Sequence, residues 1–233
     1  MTAPTLSQAV LRLKPARGWT AEYITHQLVA DIFGDRTDRG YLYRTTRERP
    51  GGVEVLVLSS SQPLTVNELP VRNWGAVIDL RSKSFAPALS PGQRLDFEIR
   101  INATRVITEP DGKKRRADVW EAVWRADRGT PCTPHEIYRE YIARKLEGAA
   151  LVHDVRATER GEVRAKRGDR GSAVRFVAAN LIGTLSVVDP TRFLELASEG
   201  IGREKAFGCG LICLSAPGSV LARRYPSTAA ELY

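Results

Sequence analysis

Two short runs of apolar–polar alternation constrain this chain more than any other feature. QAVLRLK, within Leu6–Lys14, and RLDFEIRI, Arg94–Ile101, each read as a strand with one buried face. Each run opens a similar series of elements. After the first comes Thr20, a good N-cap residue, and then AEYITHQLVADIF. Ile24, Leu28, Val29, Ile32 and Phe33 recur there at helical spacing, and Gly34 supplies the stop. Tyr41–Thr46 and Val53–Leu58 (VEVLVL) are rich in aromatic and β-branched residues and are separated by the turn ERPGG. Thr65–Leu69 suits one short helical turn, and Ala76–Leu80 a weaker strand.

LSPGQ, Leu89–Gln93, marks a boundary. Beyond RLDFEIRI, DGKKRR (Asp111–Arg116) reads as a basic turn. Pro134 opens a helix that contains EIYREYIARKL and closes at Gly148. Val152–Val188 reads as a long hairpin, Pro190 starts the helix TRFLELASEG that ends at Gly200, and Cys209–Leu214 reads as the last strand. The order is β-α-β-β-α-β twice, which predicts an α+β chain of two tandem ferredoxin-like domains. The expected limits are 1–90 and 91–217, with a tail over 218–233.

The charge balance narrows the partners. Among 233 residues, 35 Lys and Arg stand against 27 Asp and Glu, a net charge of +8. Such an excess fits a polyanion such as nucleic acid, and it equally fits a basic but inert surface. Cys132, Cys209 and Cys213 form no CxxC pair, and their odd number suits a reducing compartment. The first residues lack a signal-peptide pattern, and no apolar run is long enough to span a bilayer. A cytoplasmic protein without a membrane partner is expected.

Three places could carry chemistry. Tyr23 and His26 stand three apart on the first helix, so both side chains share one face. An imidazole there could move a proton, as RNA cleavage by its own 2′-hydroxyl requires. The same pattern fits an amphipathic helix with one half-exposed histidine. Second, VRATERGEVRAKRGDRGSAVRF gathers Arg156, Arg160, Arg164, Lys166, Arg167, Arg170 and Arg175 in a hairpin suited to phosphates, or in a solvated loop. Asn102, Arg105 and Lys113, Lys114, Arg115 and Arg116 add further polar or positive groups. Third, GIGREKAFGCGLICL, from Gly200, sets Arg203 and Lys205 between glycines. It lacks the GK[ST] of a P-loop and the GxGxxG of a dinucleotide fold, which leaves a turn or a backbone platform for RNA. No HExxH motif and no cluster of His and Cys at ligand spacing occurs, so neither a metal nor a cofactor is called for.

EYITHQ, FAPALSPGQRLDFEIRINATRVI, DGKKRR, YIARKL and GIGREKAFGCGLICLSAP stand in an order that resembles the CasE-type CRISPR RNA endoribonucleases of type I-E systems, in the repeat-associated (RAMP) superfamily. The resemblance runs from about Leu6 to Pro217. It implies two ferredoxin-like domains and metal-independent cleavage of precursor CRISPR RNA on the 3′ side of a repeat stem–loop, leaving a 2′,3′-cyclic phosphate. It implies as partners the repeat RNA and the subunits of a Cascade complex, its backbone subunit among them. In these terms His26 is the proton-transfer residue and Tyr23 orients the 2′-hydroxyl or phosphate. Ser172 or Arg175 stands where relatives carry a lysine, with Arg175 the better phosphate-holding cation. Arg100 and Asn102 of the RxN block, the basic hairpin, and Gly202, Gly208 and Gly210 with Arg203 and Lys205 would border the RNA. The sequence departs from the family at Ala103, where proline is common, and in its tail. A hairpin-binding subunit that does not cut is the competing expectation; a DNA-binding or membrane-surface module is a weaker one.

Overall fold

The computed structural model describes residues 4–34, 40–126, 133–168 and 173–218, with the side chains of 124–126 left out. Two four-stranded antiparallel sheets carry the fold. The first contains β1 (Thr5–Leu13), β2 (Tyr41–Arg49), β3 (Gly52–Ser59) and β4 (Gly75–Ser84), in the order β2-β3-β1-β4. The second contains β5 (Arg94–Ile101), β8 (Ala150–Ala165), β9 (Val174–Val187) and β10 (Ile212–Ser215), in the order β10-β5-β9-β8. Read along the chain, both run second, third, first, fourth. That is the ferredoxin-like order, so the doubled alternation of the sequence is realised as two such folds.

Helix α1 (Ala21–Asp31) covers the first sheet. Ile24, Leu28 and Val29 turn inward with Leu11, Val55 and Val57 to form one core. Thr20 caps the helix by accepting from the Tyr23 amide at 3.4 Å. The second helix expected of such a fold is reduced to one 3-10 turn, Val66–Glu68. The edge strand β4 is longer than Ala76–Leu80 suggested, because its exposed half pairs with β1 as far as Ser84.

The second unit carries an insertion after β5. A small hairpin, β6 (Thr104–Thr108) and β7 (Lys114–Asp118), leads into α2 (Val119–Ala126). DGKKRR is thus both turn and strand. Helix α3 (Pro134–Lys145) starts on a capping box between Thr133 and Glu136 and ends before Gly148, where Leu146 caps it. Helix α4 (Pro190–Glu199) follows β9. These helices bury Phe97, Ile99, Ile142, Leu181 and Phe193 against the sheet. The last strand begins at Ile212 rather than Cys209, because Gly208 (φ 77°) and Gly210 (φ 95°) hold backbone geometry foreign to a strand.

The units meet across an apolar seam with one ion pair in it. Leu42 and Leu58 of the first sheet pack on Leu211, with Cys213 beside them. On the same face of β2 as Leu42, Arg44 is 6% exposed and its guanidinium pairs with Glu98 of β5. Breaking a buried pair on one side leaves an uncompensated charge, at about 3–5 kcal/mol. Glu98→Gln should lower the unfolding free energy by about that amount in urea titrations, and Arg44→Met with Glu98→Leu should recover most of it. Equal stability of Glu98→Gln and the parent chain would contradict the assignment.

Candidate active site

The helix carrying Tyr23 and His26 is fastened to the basic hairpin at its N-cap, Thr20. The Thr20 amide donates to the Lys166 carbonyl at 3.1 Å, and the Lys166 amide donates back to Thr20 Oγ1 at 3.1 Å. Arg167, the next residue, lies over the Trp19 ring, 5.9 Å from its centroid. The hairpin that sequence placed far from Tyr23 thus ends beside it.

A row of rings runs through this junction. Trp74 stacks on Trp19 (5.2 Å), and Trp19 meets the edge of Tyr23 (5.3 Å). Tyr23 meets His26 (5.9 Å), His26 meets Phe207 (5.4 Å), and Phe207 meets Phe176 of β9 (5.9 Å). Tyr23 is half-buried, and His26 is 4% exposed rather than half-exposed. The cover over His26 comes from the glycine-rich segment, through Phe207 in the single 3-10 turn Lys205–Phe207.

That segment is held on both sides. Tyr43 donates its hydroxyl to the Ala206 carbonyl at 3.1 Å, Gly210 N–H donates to the Arg100 carbonyl at 2.8 Å, and Ile201 N–H donates to the Gly210 carbonyl at 2.9 Å. Gly208 passes so close to Tyr43 that a Cβ there would lie 3.3 Å from the ring. The glycines therefore serve close packing first. Lys205 donates to the Glu199 carbonyl and so caps α4.

Comparison with known proteins shows the family and the fold. A family model described as CRISPR associated protein matches residues 6–216. The chain belongs to this family. Within it, the chain is 32% identical over 158 residues to the CRISPR-associated endoribonuclease Cse3 of Thermus thermophilus, covering 66% of this chain and 71% of that protein. It is 27% identical over 205 residues to the CRISPR system Cascade subunit CasE of Escherichia coli, covering 86% and 95%. In fold it is similar to the crystal structure of Cas6e from Escherichia coli, with a TM-score of 0.64 at 23% identity over 90% and 99% of the two chains. The resemblance to the CasE type drawn from the sequence motifs is thereby shown.

In this CRISPR-associated chain the remaining candidates separate by what they touch. Asn102 is 3% exposed and donates Nδ2 to the Val177 carbonyl at 2.7 Å, so its amide holds the strand end instead of facing solvent. Arg115 lies between Glu109 and Glu121, which push its pKa further up. Arg156 pairs with Asp154 at 3.0 Å, Arg160 with Asp118 at 3.0 Å, and Lys113 with Asp111 at 2.9 Å. Lys114 and Arg164 are exposed. Arg175 is exposed and faces Arg164 across the hairpin. By strand alternation its side chain leaves the face opposite Phe176, which meets Phe207 in the ring row. Arg170 and Ser172 lie outside the described residues.

Two cavities differ in the charge of their walls, and only the smaller is bordered by the glycine-rich segment. The larger, about 330 Å³, lies between the units, and Arg100 and Arg47 line it together with Glu22, Glu48, Glu159 and Glu162. Four carboxylates against two guanidiniums make it a poor phosphate groove despite its size. Phe207, Phe176 and the Trp19–Trp74 pair had no signal in the sequence beyond the tryptophan just before the cap. Among the described residues no helix is long and apolar enough to cross a membrane.

Burial pushes the Cys209 thiol up to about 12, with Arg100 pulling the other way. Its folded pKa therefore stands above its unfolded value of 9.0. The contribution to stability is full below that unfolded value and is lost as pH rises toward the folded one. Peptide-resolved mass spectrometry should find Cys209 unalkylated by iodoacetamide in the native chain at pH 8 and labelled once urea unfolds it. Fast native labelling would contradict the burial.

Proposed function

We propose that the chain is an endoribonuclease that binds a CRISPR repeat stem–loop, cuts precursor CRISPR RNA on its 3′ side without a metal ion, and stays with the product as a subunit of a cytoplasmic Cascade complex. The observation that carries the reading is the Tyr23–His26 pair at the junction of α1, the basic hairpin and the glycine-rich segment. Kinship with an endoribonuclease and a Cascade subunit supplies the substrate class. We take 1–90 and 91–217 as its two domains.

The 2′-hydroxyl attacks the adjacent phosphorus as its proton passes to solvent water. The 2′-O–P bond forms, the P–5′-O bond breaks, and the products are a 2′,3′-cyclic phosphate and a 5′-hydroxyl. His26 supplies the proton to the departing 5′-oxygen, and Tyr23 orients the 2′-hydroxyl or phosphate. Because His26 is 4% exposed, with Tyr23 and Phe207 against its ring, RNA reaches it only with a local rearrangement of that cover. The exposed cations Arg164, Arg167 and Arg175 of the hairpin contact the stem backbone, and Arg203 contacts RNA beside the glycines.

Burial of His26 also favours a second reading, a hairpin-binding subunit that does not cut. Single-turnover product formation separates the two. Repeat RNA should be cut in EDTA, and a 2′-deoxy substitution at the scissile nucleotide should abolish cutting. His26→Ala should slow cleavage by roughly 10²–10⁴-fold with binding retained. Arg175→Gln should act mainly on affinity. Rapid cleavage of the deoxy substrate would sink the mechanism, and unchanged cleavage by His26→Ala would remove that residue from it.

A further inference from the structure

The smaller cavity, about 210 Å³, is bordered by Gly202 and Arg203 of the glycine-rich segment, and its walls have the opposite character to the larger one. Arg105 of β6, Arg116 of β7, Lys145 of α3 and Arg203 line it, and no carboxylate does. All four cations are exposed, and none is in an ion pair among the described residues. The contrast with the adjacent Arg115 is instructive. Strand alternation sends Arg115 to the other face of β7, where two carboxylates neutralise it, and leaves Arg116 to the cavity.

A second feature points to a ligand. Tyr141 of α3 is 4% exposed, yet it lines this cavity. Burial raises its pKa, so it remains a donor. Gly202 belongs to the same wall: a Cβ there would stand 3.2 Å from the Tyr141 hydroxyl, so glycine lets the backbone come this close. The wall is braced, because Arg203 bridges Asn102, whose side chain is fixed on Val177.

We propose that this cavity binds a phosphodiester group of the RNA strand that leaves the cleavage centre, separately from the stem contacts of the basic hairpin. The inference rests on the endoribonuclease reading for the identity of the RNA. Guanidinium forks match phosphate oxygens in pairs, and a buried phenol adds a neutral donor. Arg203 and Phe207 are four residues apart, so their Cα atoms, one at the cavity edge and one behind the ring that covers His26, lie within about 14 Å of each other. A strand at His26 therefore reaches the cavity within a few nucleotides. The acidic cleft between the units repels the same strand.

The test uses binding of the full chain to repeat RNA made uncleavable by a 2′-deoxy scissile nucleotide. For Arg116→Gln with Lys145→Gln, the slope of log affinity against log salt should become shallower by about 1.4, roughly 0.7 for each lost single-strand contact. Tyr141→Phe, which keeps the packing, should bind about three- to tenfold more weakly at fixed salt. Both effects should disappear on RNA trimmed to the stem–loop. Parental affinity and slope on the flanked RNA would overturn the proposal and leave the cations to an acidic protein partner. Equal losses on flanked and trimmed RNA would overturn it by assigning the cavity to the stem. A parent chain that binds flanked RNA but never cuts it would sink the endoribonuclease reading alone.

Discussion

The pairing of Arg44 with Glu98 sets the geometry on which everything else depends. A guanidinium this deeply covered is strongly unfavourable without its carboxylate, so the two sheets dock in the arrangement that joins them. Leu42, Leu58 and Leu211 supply the nonspecific part of the attraction, and the ion pair supplies the register. With that register in place, the Tyr43 hydroxyl meets Ala206, Phe207 lies on His26, and Lys166 reaches Thr20. The candidate site is thus a by-product of docking, since neither unit contains it alone.

Charge is distributed with the same economy. The net excess of positive charge counts every arginine equally, but the fold does not. Arg44, Arg115, Arg156 and Arg160 are bound to carboxylates and organise the protein. Arg105, Arg116, Lys145 and Arg203 stand together without one. An anionic partner is attracted to the second group, because the field of the first is already cancelled at short range. Cavity size is a weaker guide than the sign of the walls, as the acidic cleft around Arg100 shows.

Much of the fold was legible from local pattern. Alternation identified QAVLRLK and RLDFEIRI as β1 and β5, and Thr20, Pro134 and Pro190 marked helix starts through chemistry that acts within one turn. The β6–β7 pairing and α2 were not read, because the hairpin is short and the helix is supported by packing on its neighbours. In the site, Tyr23 and His26 were legible as a helix-face pair. Their burial was not, since the covering ring, Phe207, is 181 residues away from His26 in the chain. Asn102 and Lys205 were read as RNA contacts by type and position; that each also donates to an internal carbonyl, Val177 and Glu199, was not legible.

By itself, the sequence determined the doubled β-α-β-β-α-β order, the basic balance and the spacing of the proton-transfer pair. Those are properties of neighbouring residues, of period two or 3.6, and of simple counts. Tertiary structure alone decided which cations are neutralised, which side of the hairpin Arg175 leaves from, and that Tyr141 looks into a cavity walled by positive charge. These depend on strand register and on contacts between residues far apart in the chain. A one-residue change of register would reverse every face in a strand while leaving the composition untouched.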